Sequence, residues 1–137
     1  MQGSVPSVGL TKLQAALAAA ISFNDASAHT IATLAFTLSQ QTVVQVNLFA
    51  LFRIGTAGQT IVFTMDDNGN GSDLIPGALV TGSGNPHVVA ADIAQQSFNF
   101  VFFLTLAAGN HSLRFQVGNQ SGLNAIQIFA GEIDVIY

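Results

Sequence analysis

The chain has no cysteine, no tryptophan and very few charged side chains. The absence of cysteine excludes disulfides, thiolate metal ligands and cysteine nucleophiles. Only Lys12, Arg53 and Arg114 are basic and the net charge is −4, which argues against nucleic acid as a partner because no basic patch can neutralise a run of phosphates. The apolar segment Val43–Phe52 is interrupted by polar residues and far shorter than the roughly 20 residues of a membrane span, so we expect no membrane insertion.

The low charge content also bears on the surface of the protein. Charged residues make up 7% of the 137 residues and hydrophobic residues 50%, whereas charged residues form about 25% of an average soluble domain. One explanation is a neutral surface of Ser, Thr, Asn and Gln. The other is that much of the surface is buried against other subunits, because large apolar surfaces mark interfaces. We favour the second explanation, which predicts a protein that works by association.

Apolar side chains alternate with polar ones through most of the chain, which is typical of β-strands with one buried face. The clearest cases are Thr30–Leu38, Val43–Arg53 and Phe98–Leu106. Short polar turns separate the strands, and the two glycines of Gly55–Gln59 predict a hairpin loop. The pattern predicts an all-β domain over residues 28–137, with about eight strands in two antiparallel sheets arranged as a sandwich or jelly roll.

Residues 1–27 precede this domain. Leu10–Ala19 is rich in alanine and predicts a short helix, with a loosely extended arm as the alternative. We expect Met1–Ala20 either to reach a neighbouring subunit or to pack on its own domain.

The last strand changes phase. Its apolar set is Ile126, Ile128 and Ala130 at first, and then Ile133, Val135 and Tyr137. A shift from even to odd positions requires one extra residue if the same face is to stay buried. The sequence therefore predicts a β-bulge at Ala130–Glu132.

The polar loop Asp66–Asp73 is the best candidate for a metal site. Asp66, Asn68 and Asn70, followed by Gly71, match the start of a calcium-binding loop, and Asp73 is a substitute ligand. The twelfth position, which should be glutamate, is Gly77. We therefore expect a solvated loop without a cofactor and keep calcium as the weaker alternative.

No catalytic motif is present. His29, His87 and His111 have no metal-ligand spacing within one element. No nucleophile elbow accompanies the many serines. We therefore expect no enzymatic activity.

The order of these segments resembles a known class of protein. A Thr/Ala/Leu strand, a long apolar strand, an Asp-Asn-Gly loop and a Phe-rich strand precede the segment Leu106–Phe115, which reads Leu-Ala-Ala-Gly-Asn-His-Ser-Leu-Arg-Phe, and an apolar strand that ends in Tyr137. This order is similar to that of the small jelly-roll modules of tailed-phage virions, which are related in shape to the tumour-necrosis-factor and C1q-like trimers. The resemblance covers roughly residues 28–137.

The resemblance implies a homotrimer on the capsid surface of a virion, where capsid decoration (cement) proteins stabilise the shell by bridging copies of the major capsid protein. The alternative to the decoration role is a tail-fibre tip that recognises carbohydrate on the host surface, although such tips more often expose Trp or Tyr. We expect the interfaces to use apolar side chains of the arm, the outward strand positions and the chain end, namely Leu10, Leu13, Leu17, Phe49, Leu51, Phe103 and Tyr137.

Overall fold

The computed structural model describes residues 10–25, 27–55, 59–76, 88–91, 95–119 and 125–137. These ranges contain nine β-strands and no helix, and therefore no helix that could span a membrane. The strands are β1 (Lys12–Ala16), β2 (Ile21–Phe23), β3 (His29–Leu38), β4 (Thr42–Ile54), β5 (Gln59–Asp67), β6 (Val88–Ala91), β7 (Gln96–Leu106), β8 (Gly109–Asn119) and β9 (Ile126–Ile136).

The strands form two antiparallel sheets that pack face to face. One sheet has the order β1-β9-β4-β7, with β2 also paired to β9, and the other has the order β3-β8-β5-β6. The predicted all-β jelly roll of about eight strands is therefore confirmed. The sequence also predicts a strand at Val88–Ile93 and a short strand near Ala78–Thr81. The first corresponds to β6, whereas the second lies outside the described residues.

Most connections cross from one sheet to the other. Strands β3, β5 and β8 belong to the four-stranded sheet, whereas β4, β7 and β9 belong to the five-stranded sheet. The segment Gly55–Gln59 therefore links the two sheets, and its prediction as a hairpin loop is wrong. A short glycine-containing loop is compatible with either connection, so its composition does not decide which strands pair.

The prediction of a helix in Leu10–Ala19 is also wrong, because residues 12–16 form the strand β1. All five residues of β1 pair with β9, from Lys12 opposite Ile136 to Ala16 opposite Glu132. An isolated helix of about ten residues is marginal in water, whereas this strand turns Leu13 and Ala15 toward the core of its own chain. Strands β1 and β2 are thus part of the sandwich, and residues 1–9 of the expected arm lie outside the described residues.

The core lies between the two sheets and is rich in phenylalanine. Phe63 on β5 lies at its centre, with ring centroids 5.5 Å from Phe52, 4.3 Å from Phe98 and 5.8 Å from Phe115. Phe52, Phe63 and Phe115 are fully buried. Offset rings at these separations are favourable beyond the area that they bury, so this cluster joins strands of both sheets.

Two β-bulges, one in β9 and one in β3, lie close together. In β9, Leu51 pairs with Ala130 but Phe52 pairs with Ile128, so Phe129 is the extra residue. The predicted bulge is therefore confirmed, but it lies one residue before the predicted range Ala130–Glu132. In β3, Thr30 pairs with Gln116 and Ala32 with Phe115, so Ile31 is extra. Its buried side chain lies against Gly131, where a Cβ atom would overlap Cγ2 of Ile31.

Candidate functional site

The outward side of the five-stranded sheet, which we call the outer face, carries polar side chains and an exposed apolar patch. It consists of the outward residues Lys12, Gln14 and Ala16 of β1, Phe129, Ala130, Glu132, Asp134 and Ile136 of β9, Val43, Gln45, Asn47, Phe49, Leu51 and Arg53 of β4, and Ser97, Asn99, Val101, Phe103 and Thr105 of β7. Val43, Val101 and Phe103 are 59%, 57% and 68% exposed. Three large apolar side chains on two paired strands are therefore open to solvent.

The register brings these side chains together. Phe103 lies directly opposite Gln45, and the next outward pairs on either side are Val43 with Thr105 and Asn47 with Val101. Directly opposed outward side chains on antiparallel strands lie about 4.5–5.5 Å apart at Cβ, and diagonal neighbours remain within reach of an aromatic ring. The three residues therefore form one continuous apolar patch.

The outward side of the four-stranded sheet is different in character. Its paired strands present Thr33 opposite Arg114, Ala35 opposite Ser112 and Thr64 opposite Gln116. None of the large apolar residues with exposed side chains in the described ranges lies on this side. Among the described residues, the outward positions of the four-stranded sheet are thus mainly polar, whereas the five-stranded sheet exposes an apolar patch suited to protein contact.

The residues expected at interfaces divide into two groups. Phe103 is exposed on the outer face, Phe49 and Leu51 are half-buried on it, and Leu10 is 75% exposed just before β1. In contrast, Leu13, Leu17 and Tyr137 pack against the core of their own chain. The second group is occupied within the subunit, so the candidate interface rests on the first group.

The residues expected at interfaces did not include Val43, Val101 and Phe129. Val43 and Val101 have the same parity along their strands as Phe49 and Phe103, and the alternation therefore places them outward as well. Phe129 also alternates with the inward Ile126 and Ile128, and it is 38% exposed at the bulge.

The candidate calcium ligands have other partners. The guanidinium group of Arg114 donates to both carboxylate oxygens of Asp66. Its Nε lies 3.0 Å from Oδ1, and its Nη2 lies 2.7 Å from Oδ2. The Gly71 N–H also donates to Asp66 at 3.0 Å. The bond from Arg114 holds the pKa of Asp66 below its ordinary value despite burial. A cation here would have to displace a guanidinium group already placed by β8.

The other three candidate ligands stabilise the loop itself. Asn68 has a φ of 55° and donates its amide N–H to the Asn110 carbonyl at 3.3 Å, while Oδ1 of Asn70 accepts the Ser72 N–H. Oδ1 of Asp73 accepts the Met65 and Ile75 N–H groups, each at 3.1 Å. Over the described ranges, no group of three or more His, Asp and Glu side chains is arranged to hold a metal.

His111 lies at the same end of the sandwich as the Asp66–Asp73 loop. Its Nδ1 lies 2.6 Å from Oδ2 of Asp67, and its Nε2 lies 2.7 Å from the Ala107 carbonyl oxygen. Burial lowers the pKa of His111, but the bonds to Asp67 and Ala107 outweigh it and raise the pKa above its ordinary value. Because both nitrogens face acceptors, the ring satisfies both only when doubly protonated. The side chain therefore fastens the turn before β8 to the end of β5.

Comparison with solved structures finds similar folds at low identity. The Eiger TNF from S. frugiperda is 12% identical over 91% of each chain, with a TM-score of 0.49. A chain in the structure of infectious bursal disease virus Gx strain is 12% identical, with a TM-score of 0.55 over 94% of this chain and 32% of that chain. A family two carbohydrate esterase from Cellvibrio japonicus is 14% identical, with a TM-score of 0.40 over 93% and 34% of the two chains.

The protein thus spans about a third of the length of the viral and esterase chains. No protein-family model and no curated protein matches the sequence. At such identities the likeness to the viral chain supports the jelly-roll fold, and fold alone does not determine function. The resemblance is therefore confirmed for the fold, whereas an origin in tailed phages stays a prediction.

Proposed function

We propose that this protein is a structural component of a virion, a capsid decoration protein that forms homotrimers and stabilises the shell by bridging copies of the major capsid protein. The observation that carries the proposal is the contrast between the two sides of the sandwich. The outward positions described on the four-stranded sheet are mainly polar, whereas the five-stranded sheet exposes Val43, Val101 and Phe103 in one patch. A rigid sheet with an apolar side is suited to a task that consists of packing against other subunits.

A second copy of the chain is the occupant that we assign to the outer face. Apolar patches that stay wetted on a monomer lead to non-specific association unless charged residues surround them. Here the described residues place only four charged side chains on the outer face, namely Lys12, Arg53, Glu132 and Asp134. Closed cyclic assemblies bury such patches completely and leave the polar side for solvent.

The association is tested by replacing Phe103 with aspartate. Burying the exposed 68% of Phe103 is worth about 1–2 kcal/mol for each subunit. Three subunits together lose about 3–6 kcal/mol, which lowers the association constant by about two to four orders of magnitude, and the buried charge adds to the loss. We expect light scattering to show smaller assemblies for Phe103→Asp.

The matched control is Thr33→Asp, which adds the same charge at an exposed position on the polar side. It should leave the assembly unchanged. Circular dichroism of both variants checks that the fold is retained. Equal effects of the two substitutions would show that charge alone disperses the protein and would remove the outer face from the proposal.

The decoration role is tested on particles. Capsids that carry the protein should withstand heat and chelator better than capsids that lack it, and Phe103→Asp should reduce the difference. Equal resistance with and without the protein would refute the role. Selective binding of the purified protein to host glycans, combined with no effect on capsids, would instead assign it to a tail-fibre tip.

A further inference from the structure

Two carboxyl groups lie side by side in the outer face. Glu132 and Asp134 are two residues apart on β9, so both point outward from the sheet. On β4, Glu132 lies opposite Phe49 and Asp134 lies opposite Asn47. Within the described residues, they are the only acidic side chains on this face. They therefore place two negative charges on the face that carries the apolar patch.

Few groups compensate their charge. On β1, Ala16 lies opposite Glu132 and Gln14 lies opposite Asp134. Lys12 is the next outward residue of β1 and lies opposite Ile136. No ionisable side chain of β4 faces the pair, since Arg53 lies opposite Gln127 near the other end of β9. Arg114 is held by Asp66 on the other sheet. Among the described residues, one lysine thus compensates two carboxyl groups.

The pair is already poorly hydrated in the single subunit. Oδ1 of Asp134 is buried and has no hydrogen-bond partner. Burial raises the pKa of Glu132 above its ordinary value, the hydrogen bond to Asp134 and the charge of Asp134 raise it further, and Lys12 opposes these effects. A proton on Glu132 relieves the repulsion between the two carboxyl groups and provides a hydrogen-bond donor to Asp134.

We propose that self-association through the outer face takes up a proton at Glu132, beside the Asp134 carboxyl group, so that the assembly is favoured at low pH and loosens as the pH rises. This inference rests on the proposed function, because it requires a second copy to cover the face. Covering removes water from the pair and disfavours its fully ionised form. The associated state then binds more protons than the free subunit, so association weakens as the pH increases.

The opposite sign has a definite structural meaning. If Lys12 or Arg53 of a neighbouring copy were placed against the pair, ionisation would be favoured in the assembly and association would strengthen with rising pH. The direction of the pH dependence therefore reports whether the pair is buried against neutral groups or against a cation.

The experiment measures the association constant of the full chain by sedimentation between about pH 5 and about pH 8. Uptake of one proton for each subunit changes the constant by about tenfold for each subunit and pH unit, or about 1000-fold for a trimer. We expect Glu132→Gln to flatten this dependence. Its control is Asp25→Asn, which removes one negative charge at an exposed position outside the sheets and should keep the dependence.

Proton uptake is also measured directly, by diluting the assembly in calorimetry buffers that differ in ionisation enthalpy. The wild type should release protons on dissociation, and Glu132→Gln should release fewer. An assembly whose constant is flat with pH, or rises with pH, would overturn this inference and leave the proposed function standing. A chain that is monomeric at every pH would overturn both.

Discussion

Replacing Gly131 with alanine tests whether the two bulges meet as the structure has them. Gly131 is buried in β9, and an added Cβ would overlap Cγ2 of Ile31 while lying 3.5 Å from the Phe49 carbonyl oxygen. Ile31 is itself the extra residue of β3 and is 3% exposed. Its side chain therefore has no free space into which it can retreat, and the core must distort.

The cost follows from known overpacking effects. One extra methyl group in a close-packed core costs about 1–3 kcal/mol. Unfolding entropy is about 2.1 cal/mol/K per residue, so for a chain of 137 residues each kcal/mol lowers Tm by about 3–4 °C. We expect Gly131→Ala to lower the thermal midpoint by about 3–10 °C.

A double-mutant cycle with Ile31→Ala isolates the contact. Ile31→Ala alone should cost about 2–5 kcal/mol because it leaves a cavity. In that background the clashing methyl group is gone, and the nearest remaining atom of residue 31 is Cβ at 3.6 Å, an ordinary contact distance. Gly131→Ala should then be neutral, or stabilising because alanine restricts the unfolded chain.

Urea unfolding of the four proteins gives the coupling energy, which we expect to be about 1–3 kcal/mol. The interpretation would be wrong if Gly131→Ala destabilised both backgrounds equally, because the methyl group would then clash with something other than Ile31. It would also be wrong if the single substitution had no effect.

Three further variants test other parts of the fold. Phe63→Ala should lower the free energy of unfolding by about 3–5 kcal/mol, and an unchanged urea midpoint would contradict the central position of that ring. Arg114→Leu should lower the free energy of unfolding, because it leaves the buried Asp66 carboxylate without its cation, and an unchanged urea midpoint would contradict the importance of this ion pair. His111→Asn should be destabilising mainly at low pH. The raised pKa of His111 means that its contribution is present below its unfolded pKa and is lost as the pH rises through the folded value. The difference in the free energy of unfolding between wild type and variant should therefore be largest at about pH 5.5 and should shrink toward about pH 8.5. A difference that grew with pH would contradict this role of His111.

The sequence predicted the strand faces well because period two directly reflects burial. The inward positions Val44, Val46 and Leu48 of β4 are all buried, as alternation requires. The bulge in β9 was predictable for the same reason, since a phase change has no other economical explanation. Its position was one residue off, because Ala130 is small enough to fit either phase.

Strand pairing was not predictable from these patterns. A strand buried on one face reads the same in either sheet, so nothing in Thr42–Ile54 indicates that its partners are β7 and β9. The alanines of Lys12–Ala16 favour a helix locally, and pairing with β9 overrides that preference.

The candidate sites were also predictable only in part from the sequence. The spacing of Asp66, Asn68 and Asn70 suggested a cation, but the partner of Asp66 is Arg114, which is 48 residues away. Contacts at such separations leave no local trace in the sequence. The apolar outer face was partly visible, because Phe49 and Phe103 stand at positions where alternation expects polar residues.

Sedimentation equilibrium of the unmodified chain, over a wide range of concentration, shows whether other copies cover the outer face of the five-stranded sheet, where Phe103 is exposed in the single subunit. We expect the mass of a trimer, with a smaller mass appearing only on dilution. A folded chain that keeps the mass of one subunit at the highest concentration reached would contradict it.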